Sequence, residues 1–226
     1  MCGRYALYGP KSRNRPEALA FYDDEIDFTP HYNAAPTQQL PVYAIGADGR
    51  RALTLMRWGL VPAWAKDPAI GARMINARAE TVAEKPSFRA AYRRRRCLVP
   101  MNGFYEWQKT PAHKVPHFVR LLNEEVFAAA GLYEQWPGNA ETGPLTTFTV
   151  LTTDANALMR PLHERMPVII PRAAYEAWLD PANVTGDSLE GLLQPYPADE
   201  MCAFPVSTRV NSVRNDDAAL LEPVTA

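Results

Sequence analysis

The N-terminal stretch MCGRYALYGP places a cysteine directly after the initiator methionine. A second residue normally lies in a frayed terminus, where its identity matters little. Here the residues that follow alternate between large and small side chains and predict a strand, so we expect Cys2 to be held in the fold. Methionine aminopeptidases accept a small second residue, and removal of Met1 would leave Cys2 as the first residue of the mature chain.

A free N-terminal cysteine carries two nucleophiles on adjacent carbons. The α-amine has an ordinary pKa of about 7.7–8.0 and the thiol one of about 8.5, so a fraction of each is available at neutral pH. Such a pair condenses with an aldehyde: the amine forms a Schiff base and the thiol then closes a thiazolidine ring. Alternatively, the amine serves as the base for the thiol, as in N-terminal-nucleophile hydrolases. The remaining alternative is a chance cysteine at a terminus.

Three further stretches contain polar residues that could converge on Cys2. Asn76 and Arg78 lie two apart in MINARAET, Glu106 lies between two aromatic residues in GFYEWQ, and His163 precedes an apolar run in PLHERMPVII. A carboxylate among aromatic rings suits acid–base chemistry, and imidazole transfers protons near neutral pH. Each has a structural alternative, because Glu106 could face solvent and a lone histidine is more often structural than catalytic.

Metal and cofactor sites find no support in the sequence. His113 and His117 have the i, i+4 spacing of a helix, but Pro111 and Pro116 argue against a continuous helix there. No pair of cysteines has zinc-ligand spacing, and no glycine-rich loop of the P-loop or Rossmann type occurs. We therefore expect no metal and no cofactor.

Any contact with nucleic acid must come from a local patch. The chain has 24 basic and 25 acidic residues, a formal net charge of −1 that provides no global positive field. The run RAAYRRRRC concentrates arginines, and Trp58, Trp64 and Trp107 are available for stacking. Arginines for phosphates and aromatic rings for unpaired bases grip single strands without reading their sequence. The pattern favours a local single-strand groove.

The composition is that of a globular protein with a sizeable core: 226 residues, 47% of them hydrophobic and 22% charged. Three cysteines, at positions 2, 97 and 202, do not suggest a disulfide framework. No segment resembles a signal peptide or approaches the ~20 apolar residues that span a bilayer. We expect a cytoplasmic protein, nucleoid-associated if bacterial, forming one domain over residues 1–226 with roughly eight loose C-terminal residues.

The hydrophobic pattern favours an α+β fold built mainly on antiparallel strands. The run LPVYAIGADGRRALTLMRW predicts a hairpin around its Asp-Gly turn, and LTTFTVLTTDAN predicts a further strand. A second hairpin is expected with its tip at Asn123-Glu124. Helices are expected at 16–22, at 72–96 with a break at Pro86, at 172–180 and at 187–194.

Taken together, nine ordered segments resemble the SRAP family, the SOS-response-associated peptidases, also called abasic-site processing proteins. They cover nearly the whole chain: MCGRY, HYNAAPTQQLPV, RWGLVPAW, MINARAET, RCLVPMNGFYEWQ, AGLYEQW, LTTDAN, PLHERMPVII and PVSTRVNSVRND. One departure is VPAWAKD, which has a single tryptophan where some members have two in a row, so stacking at that edge would be weaker.

The resemblance implies both a fold and an activity. The fold would be α+β, a single compact domain whose curved, partly barrel-like antiparallel β-sheet is flanked by helices and carries a positively charged groove. The activity would be covalent capture of abasic sites in single-stranded DNA as a thiazolidine through Cys2, with AP-lyase side activity and self-removal of Met1. We expect a monomer whose partner is single-stranded DNA containing abasic sites, with no membrane involved.

The resemblance also implies roles for individual residues. Cys2 would be the nucleophile, Asn76 would orient its amine, Glu106 would transfer protons, and His163 would assist opening of the sugar ring. Phosphates would be held by three arginines: Arg4, Arg78 and Arg165. The remaining groove positions would be Asn33, Pro36, Trp64, Trp107 and Thr152.

Two alternatives from other functional classes stay open. Class II glutamine amidohydrolases also begin with Met-Cys-Gly, and their cysteine attacks an amide beside an oxyanion hole. A non-covalent single-strand binding module would bind intact and abasic strands alike, in a salt-dependent manner, and Cys2 would be incidental.

Overall fold

A computed structural model of the chain describes residues 2–9, 29–46, 49–123, 126–183 and 189–224. Strands dominate these residues: β1 (Tyr5–Leu7), β2 (His31–Ala34), β3 (Gln39–Ile45), β4 (Arg51–Trp58), β5 (Asn76–Arg78), β6 (Arg96–Met101), β7 (Gly103–Lys109), β8 (Lys114–Leu121), β9 (Phe127–Trp136), β10 (Leu145–Asp154), β11 (Arg165–Pro167), β12 (Ile169–Ile170) and β13 (Met201–Pro205). The α-helices described are α1 (Arg89–Arg94) and α2 (Tyr175–Leu179). Short 3-10 turns occupy Pro68–Arg73, Ala79–Thr81, Arg172–Ala174, Gly191–Leu193, Ala198–Glu200, Thr208–Asn211 and Ala218–Leu221.

Five strands close into a barrel. Strands β4, β3, β6 and β9 pair antiparallel in that order, β9 pairs antiparallel with β10, and β10 completes the circle by pairing with β4. The closing pair is parallel, with Thr147 opposite Arg57. A barrel-like α+β fold is therefore confirmed. The parallel pairing that closes it was not predicted, because alternation reveals a strand but not its partner.

A second, antiparallel sheet lies beside the barrel in the order β13-β8-β7-β1-β2. Strand β1 is enclosed between two neighbours, because Tyr5 lies opposite both Ala34 of β2 and Phe104 of β7. All three residues of β1 are buried. The strand that follows Cys2 is thus fixed on both edges.

The main hydrophobic core joins the barrel to this sheet. It combines Cys2, Tyr5 and Phe104 from the sheet side with Trp58 and Phe148 from the barrel. The ring of Trp58 lies 5.2 Å from that of Tyr5 and stacks on that of Phe148 at 6.1 Å. Each such aromatic side chain contributes about 1.5–3 kcal/mol by leaving water, so the position of β1 is set by packing as well as by hydrogen bonds.

The helix expected over 72–96 is wrong for most of its length. Residues Asn76–Arg78 form β5, which pairs parallel with β10, and only Arg89–Arg94 are α-helical. The carbonyl of Ile75 accepts hydrogen bonds from the Trp58 indole at 2.9 Å and from the Val150 amide at 3.1 Å. These tertiary partners override a weak local helix propensity.

The hairpin expected at Asn123-Glu124 is also wrong. Strands β8 and β9 belong to different sheets, so the chain crosses from the sheet to the barrel there; Glu124 itself lies outside the described residues. A similar crossing divides CLVPMNGFYEW into β6 and β7 at Asn102. The buried Asn102 side chain accepts the Tyr8 amide at 2.9 Å, which compensates for the break in the ladder.

The remaining predictions are mixed. The hairpin of β3 and β4 is confirmed, and α2 lies within the helix expected at 172–180. In the C-terminal segment Leu220 is buried, and the amide of Val224, whose side chain is exposed, donates to the Pro205 carbonyl at 3.0 Å. The helix expected at 16–22 lies outside the described residues. Within the described ranges, no helix has the length and apolar character to cross a membrane.

Candidate active site

Cys2 lies three residues before the start of β1 and is fully buried. Its carbonyl oxygen accepts a hydrogen bond from Asn76 Nδ2 at 2.8 Å. Asn76 is held opposite Val150 of β10 at the start of β5, so this bond joins the barrel to the N-terminal strand. The second amide atom, Asn76 Oδ1, is buried and accepts no hydrogen bond within the described residues. Asn76 therefore fixes the Cys2 backbone through Nδ2, while its Oδ1 is available to accept a hydrogen bond.

The environment of Cys2 keeps its thiol protonated at neutral pH. Burial and, to a smaller extent, the negative charge of Glu106 raise the pKa of the thiol from 9.0 to about 12. A long contact of 3.9 Å from Sγ to the Arg4 carbonyl acts in the opposite direction. A thiol that remains protonated needs a base when it attacks, and the nearby Glu106 carboxylate is suited to that role.

Glu106 and His163 face each other. Glu106 lies on β7 with only 4% of its surface exposed, so the alternative in which it faces solvent is wrong. His163 Nε2 lies 3.9 Å from Glu106 Oε1, and His163 Nδ1 accepts the backbone N–H of Arg165 at 2.9 Å. The neutral ring must then carry its proton on Nε2, on the side of the carboxylate. At 3.9 Å the two atoms are neighbours but are too far apart for a hydrogen bond.

Arg4 and Asn33 make internal contacts. Arg4 Nη1 donates to Asn33 Oδ1 at 2.9 Å and to the Val210 carbonyl at 2.8 Å. Burial lowers the pKa of the guanidinium. Asn33 is fully buried, and its Nδ2 donates to the carbonyls of Val210, Ser212 and Asn215. Contact of these two residues with DNA stays a prediction.

Arg165 is held by carboxylates. Its two terminal nitrogens donate to Glu80 at 2.6 and 2.8 Å, Nη1 donates to Asp154 at 2.7 Å, and Nη2 donates to the Thr152 carbonyl at 2.6 Å. The hydrogen bond from Arg165 holds the pKa of Glu80 below its ordinary value. Arg78, at the end of β5, is exposed. Binding of phosphates by either arginine stays a prediction.

The remaining groove candidates differ in accessibility. Trp64 is 62% exposed and borders a cavity of about 260 Å³ with Lys66 and Arg73. Trp107 is half-buried, and its indole nitrogen donates to Asn211 Oδ1 at 2.8 Å. Thr152 is fully buried within β10. Only Trp64 presents a large open ring.

Pro36 lies in a tight turn of unusual geometry between β2 and β3. The next residue, Thr37, has a φ of 75°, and its amide donates to the Trp58 carbonyl at 2.9 Å. A β-branched residue at positive φ is strained, and such strain persists only where surrounding contacts enforce it. This turn was not singled out from the sequence, because threonine gives no signal for that conformation.

The arginine run does not form one continuous surface. Arg96 is buried and donates to backbone carbonyls, including that of Tyr92 at 2.7 Å, and Arg95 pairs with Glu134 at 2.6 Å. Only Arg89, Arg93 and Arg94 are exposed. In the part of the chain that the structure describes, no group of three or more His, Cys, Asp or Glu side chains could hold a metal ion.

Known proteins resemble this chain over most of its length. The family model of the SOS response associated peptidases (SRAP) matches residues 1–213. The abasic site processing protein YoqW of Bacillus subtilis is 44% identical over 98% of this chain and 99% of its own length. The abasic site processing protein HMCES of Gallus gallus is 34% identical over 99% of this chain and 78% of its own.

Solved structures agree in fold. A protein from Bacteroides thetaiotaomicron superposes with a TM-score of 0.86 over 99% of this chain and 100% of its own, at 24% identity, a likeness of fold alone. A phage-related protein from Bordetella bronchiseptica superposes with a TM-score of 0.71 over 91% of this chain and 94% of its own, at 26% identity. With a family model over most of its length and relatives aligned from end to end, the chain belongs to the SRAP family.

Proposed function

We propose that the mature chain, beginning at Cys2, captures abasic sites in single-stranded DNA as a covalent thiazolidine. The observation that carries the proposal is the convergence of Asn76, Glu106 and His163 on Cys2 from separate parts of the chain. The names of the relatives, abasic site processing proteins at 44% and 34% identity over nearly all of this chain, support abasic sites as the substrate.

The first step is formation of a Schiff base. The abasic deoxyribose opens from its ring to an aldehyde when a proton moves between its hydroxyl and its ring oxygen, which is the transfer that His163 and Glu106 are placed to assist. The Cys2 α-amine adds to C1′, and one water leaves. Asn76 Nδ2 holds the Cys2 carbonyl, and its unpaired Oδ1 would accept a hydrogen bond from that amine.

The second step closes the ring. The Cys2 sulfur forms a bond to C1′, its proton passes to the Glu106 carboxylate, and the imine nitrogen takes up a proton. The sum of both steps is loss of one water, with no oxidant or cofactor. Because burial raises the pKa of the thiol and keeps it protonated, transfer of its proton to a neighbouring base is part of this step.

A lyase side activity follows from the same intermediate. A Schiff base at C1′ acidifies the protons on C2′, and loss of one of them expels the 3′ phosphate. Closure of the thiazolidine consumes the Schiff base and suppresses this elimination. The ratio of crosslinked to cleaved DNA therefore measures how well the thiol is placed.

Self-removal of Met1 is also part of the proposal. Hydrolysis of the Met1–Cys2 bond adds one water and frees the amine that the capture needs. Glu106 and His163 are the groups placed to move the protons. Production of the chain in a translation system without methionine aminopeptidase, followed by intact-mass analysis, tests this: retention of Met1 would assign its removal to an external enzyme.

The partner of this activity is single-stranded DNA bound by a monomer in the cytoplasm or at the nucleoid. The exposed ring of Trp64 suits stacking on an unpaired base, and the exposed Arg78 lies on the same strand as Asn76. Sedimentation of the protein with and without an oligonucleotide measures the stoichiometry, for which we expect one chain per strand.

Incubation with a labelled single-stranded oligonucleotide that bears one abasic site tests the proposal, followed by denaturing electrophoresis. We expect a heat-stable shifted band with the mature protein and with the control variant Cys202→Ala, which alters a half-buried cysteine of β13. Cys2→Ala removes the thiol, so the stable band should vanish while cleavage through the α-amine persists. An equally stable adduct with Cys2→Ala would exclude a thiazolidine.

A further inference from the structure

The segment from Ser207 to Asp216, here called the C-terminal clamp, contacts both strands that carry the reactive groups. Cys2 precedes β1 and Glu106 lies on β7. These strands share only two register pairs, Tyr5 with Phe104 and Ala6 with Gly103. Cys2 lies beyond the end of that short ladder. The Tyr105 amide also donates to the Arg4 carbonyl at 3.0 Å, and further alignment of Cys2 with Glu106 comes from side-chain contacts outside the ladder.

Asn211 makes two of those contacts. Its Oδ1 accepts a hydrogen bond from Trp107 Nε1 at 2.8 Å, and Trp107 follows Glu106 directly. Its backbone oxygen accepts from Arg4 Nη2 at 3.4 Å, and Arg4 lies two residues after Cys2. The preceding carbonyl, that of Val210, accepts from Arg4 Nη1 at 2.8 Å. One turn of chain thus ties the N-terminal strand to the strand of the carboxylate.

The clamp is itself fixed to β2. The Asn33 amide donates to the carbonyls of Val210 at 3.2 Å, Ser212 at 3.0 Å and Asn215 at 2.8 Å. The Asp216 carboxylate accepts the backbone amide of Asn33 at 2.8 Å. Because Val210 is also fully buried, the clamp cannot shift independently of the sheet.

We infer that Asn211 is a positioning residue, which acts through Trp107 and Arg4 to align the Cys2 thiol with the Glu106 carboxylate. The inference rests on the proposed function, in which ring closure competes with β-elimination. Asn211 does not touch the reacting atoms. Its loss lets β7 and the start of β1 move relative to each other, which slows transfer of the thiol proton and gives elimination more time.

The test uses the mature full-length protein and three variants at exposed positions. Asn211→Leu keeps the branched shape but removes the acceptor, Asn211→Asp keeps an acceptor, and Val213→Ala is the control from the same clamp. Single-turnover reactions with an abasic oligonucleotide give the crosslinking rate and the ratio of cleaved to crosslinked DNA. Binding of an intact oligonucleotide is measured alongside, together with the pH profile of Cys2 alkylation by iodoacetamide, located by peptide mass.

We expect Asn211→Leu to crosslink about threefold to tenfold more slowly, the effect of one lost hydrogen bond, and to shift products toward cleavage by a similar factor. Asn211→Asp and Val213→Ala should stay within about twofold of the wild type for both quantities. The alkylation profile of Asn211→Leu should move to lower pH, because the Glu106 charge no longer acts fully on the thiol.

Three results with Asn211→Leu would overturn the inference. The ratio of cleaved to crosslinked DNA could be unchanged, or both products could fall equally. The variant could also bind the intact oligonucleotide more weakly than the wild type, which would make Asn211 a DNA ligand. A wild-type protein that forms no adduct would instead reject the proposed function. The alkylation profile, which needs no DNA, would then still decide whether Asn211 aligns Cys2 with Glu106.

Discussion

His163 presents its Nε2 atom to Glu106 Oε1 at 3.9 Å because its Nδ1 atom already accepts the backbone amide of Arg165 at 2.9 Å. Arg165 is in turn held by the two oxygens of Glu80. The orientation of the imidazole is therefore set by the Arg165 backbone, and Arg165 is fixed by its ion pair with Glu80, outside the reactive centre. A histidine that serves only packing would not need its proton directed at a buried carboxylate.

Replacement of Asn76 should slow capture more than it affects folding. Asn76→Asp keeps the shape but removes the donor that holds the Cys2 carbonyl at 2.8 Å and adds a negative charge beside the thiol. We expect a fall in the single-turnover crosslinking rate of tenfold or more, since a donor lost from a buried site costs about 1–3 kcal/mol. Rapid-quench electrophoresis measures the rate, and thermal unfolding monitors the fold. A variant that crosslinks at the wild-type rate would remove Asn76 from the mechanism.

The buried thiol of Cys2 should make the protein less stable at alkaline pH. Burial and the Glu106 charge raise its pKa from 9.0 to about 12 in the folded chain. Between those values the unfolded chain has released the proton and the folded chain has not, so stability is full below pH 9 and falls as pH rises toward 12. The side chain introduced by Cys2→Ser does not titrate there. Over that pH range the free energy of unfolding of the wild type should therefore fall more steeply than that of Cys2→Ser, and the two slopes should differ by about 1.4 kcal/mol per pH unit.

Urea unfolding at a series of pH values measures that slope. Buried tyrosines, including Tyr105, also have raised pKa values and contribute to the fall in both proteins, so the comparison is the difference between the two slopes. Cys202→Ser, at a half-buried position of β13, is the matched control and should follow the wild type. Identical slopes for Cys2→Ser and wild type would mean that Cys2 is not buried as the structure describes.

Neutralising Glu80 should strengthen binding of single-stranded DNA. Glu80 and Asp154 place two negative charges on Arg165, a residue expected to bind a phosphate. With Glu80→Gln the local potential becomes more positive, and we expect about twofold to fivefold tighter binding at low salt, an advantage that added salt screens out. Fluorescence anisotropy over a salt series measures it.

The control for Glu80→Gln is Glu84→Gln, which makes the same charge change at a nearby exposed position. An equal gain in both variants would mean that only net charge matters. No gain in either would indicate that Arg165 holds its carboxylates in place and does not meet DNA.

Truncation of Trp64 should weaken DNA binding without altering the chemistry. Its ring is 62% exposed beside Lys66 and Arg73, and a base stacked on an aromatic side chain is worth about 1–3 kcal/mol. We expect Trp64→Ala to bind the oligonucleotide at least about fivefold more weakly. The crosslinking rate at saturating DNA should stay unchanged. Leu55→Ala, at a site 56% exposed on β4, is the control for loss of exposed apolar surface. Equal affinities for Trp64→Ala and wild type would place the strand elsewhere.

Much of the strand content could be predicted from the sequence, because alternation and turn residues are local signals. The partners of those strands could not. The closure of the barrel depends on β10, which pairs with β9, β4, β5 and β11 through residues far apart in the chain. The same non-local pairing makes a strand of Asn76–Arg78, within a segment of helical composition.

The candidate site was predictable in its residue types but not in its connections. Cys2, Glu106 and His163 each had a plausible structural alternative. The resemblance of the chain to the SRAP family, and not the spacing of these residues, indicated that they act together. Asn33 and Arg165 show most clearly which contacts could not be predicted from the sequence. Contact of either residue with DNA stays a prediction. What could not be predicted is their role within the fold: the Asn33 amide donates to carbonyls of the C-terminal clamp, and the Arg165 guanidinium is held between carboxylates. Such roles depend on distant backbone carbonyls and counter-ions that leave no local pattern.

The most direct test of the central claim is the intact mass of the adduct formed with an abasic single-stranded oligonucleotide in the absence of borohydride. We expect the mass of the chain without Met1 plus that of the oligonucleotide minus one water, with peptide mapping placing the bond on Cys2. An adduct that forms only with borohydride, retains Met1 or maps to another residue would contradict capture by an N-terminal thiazolidine.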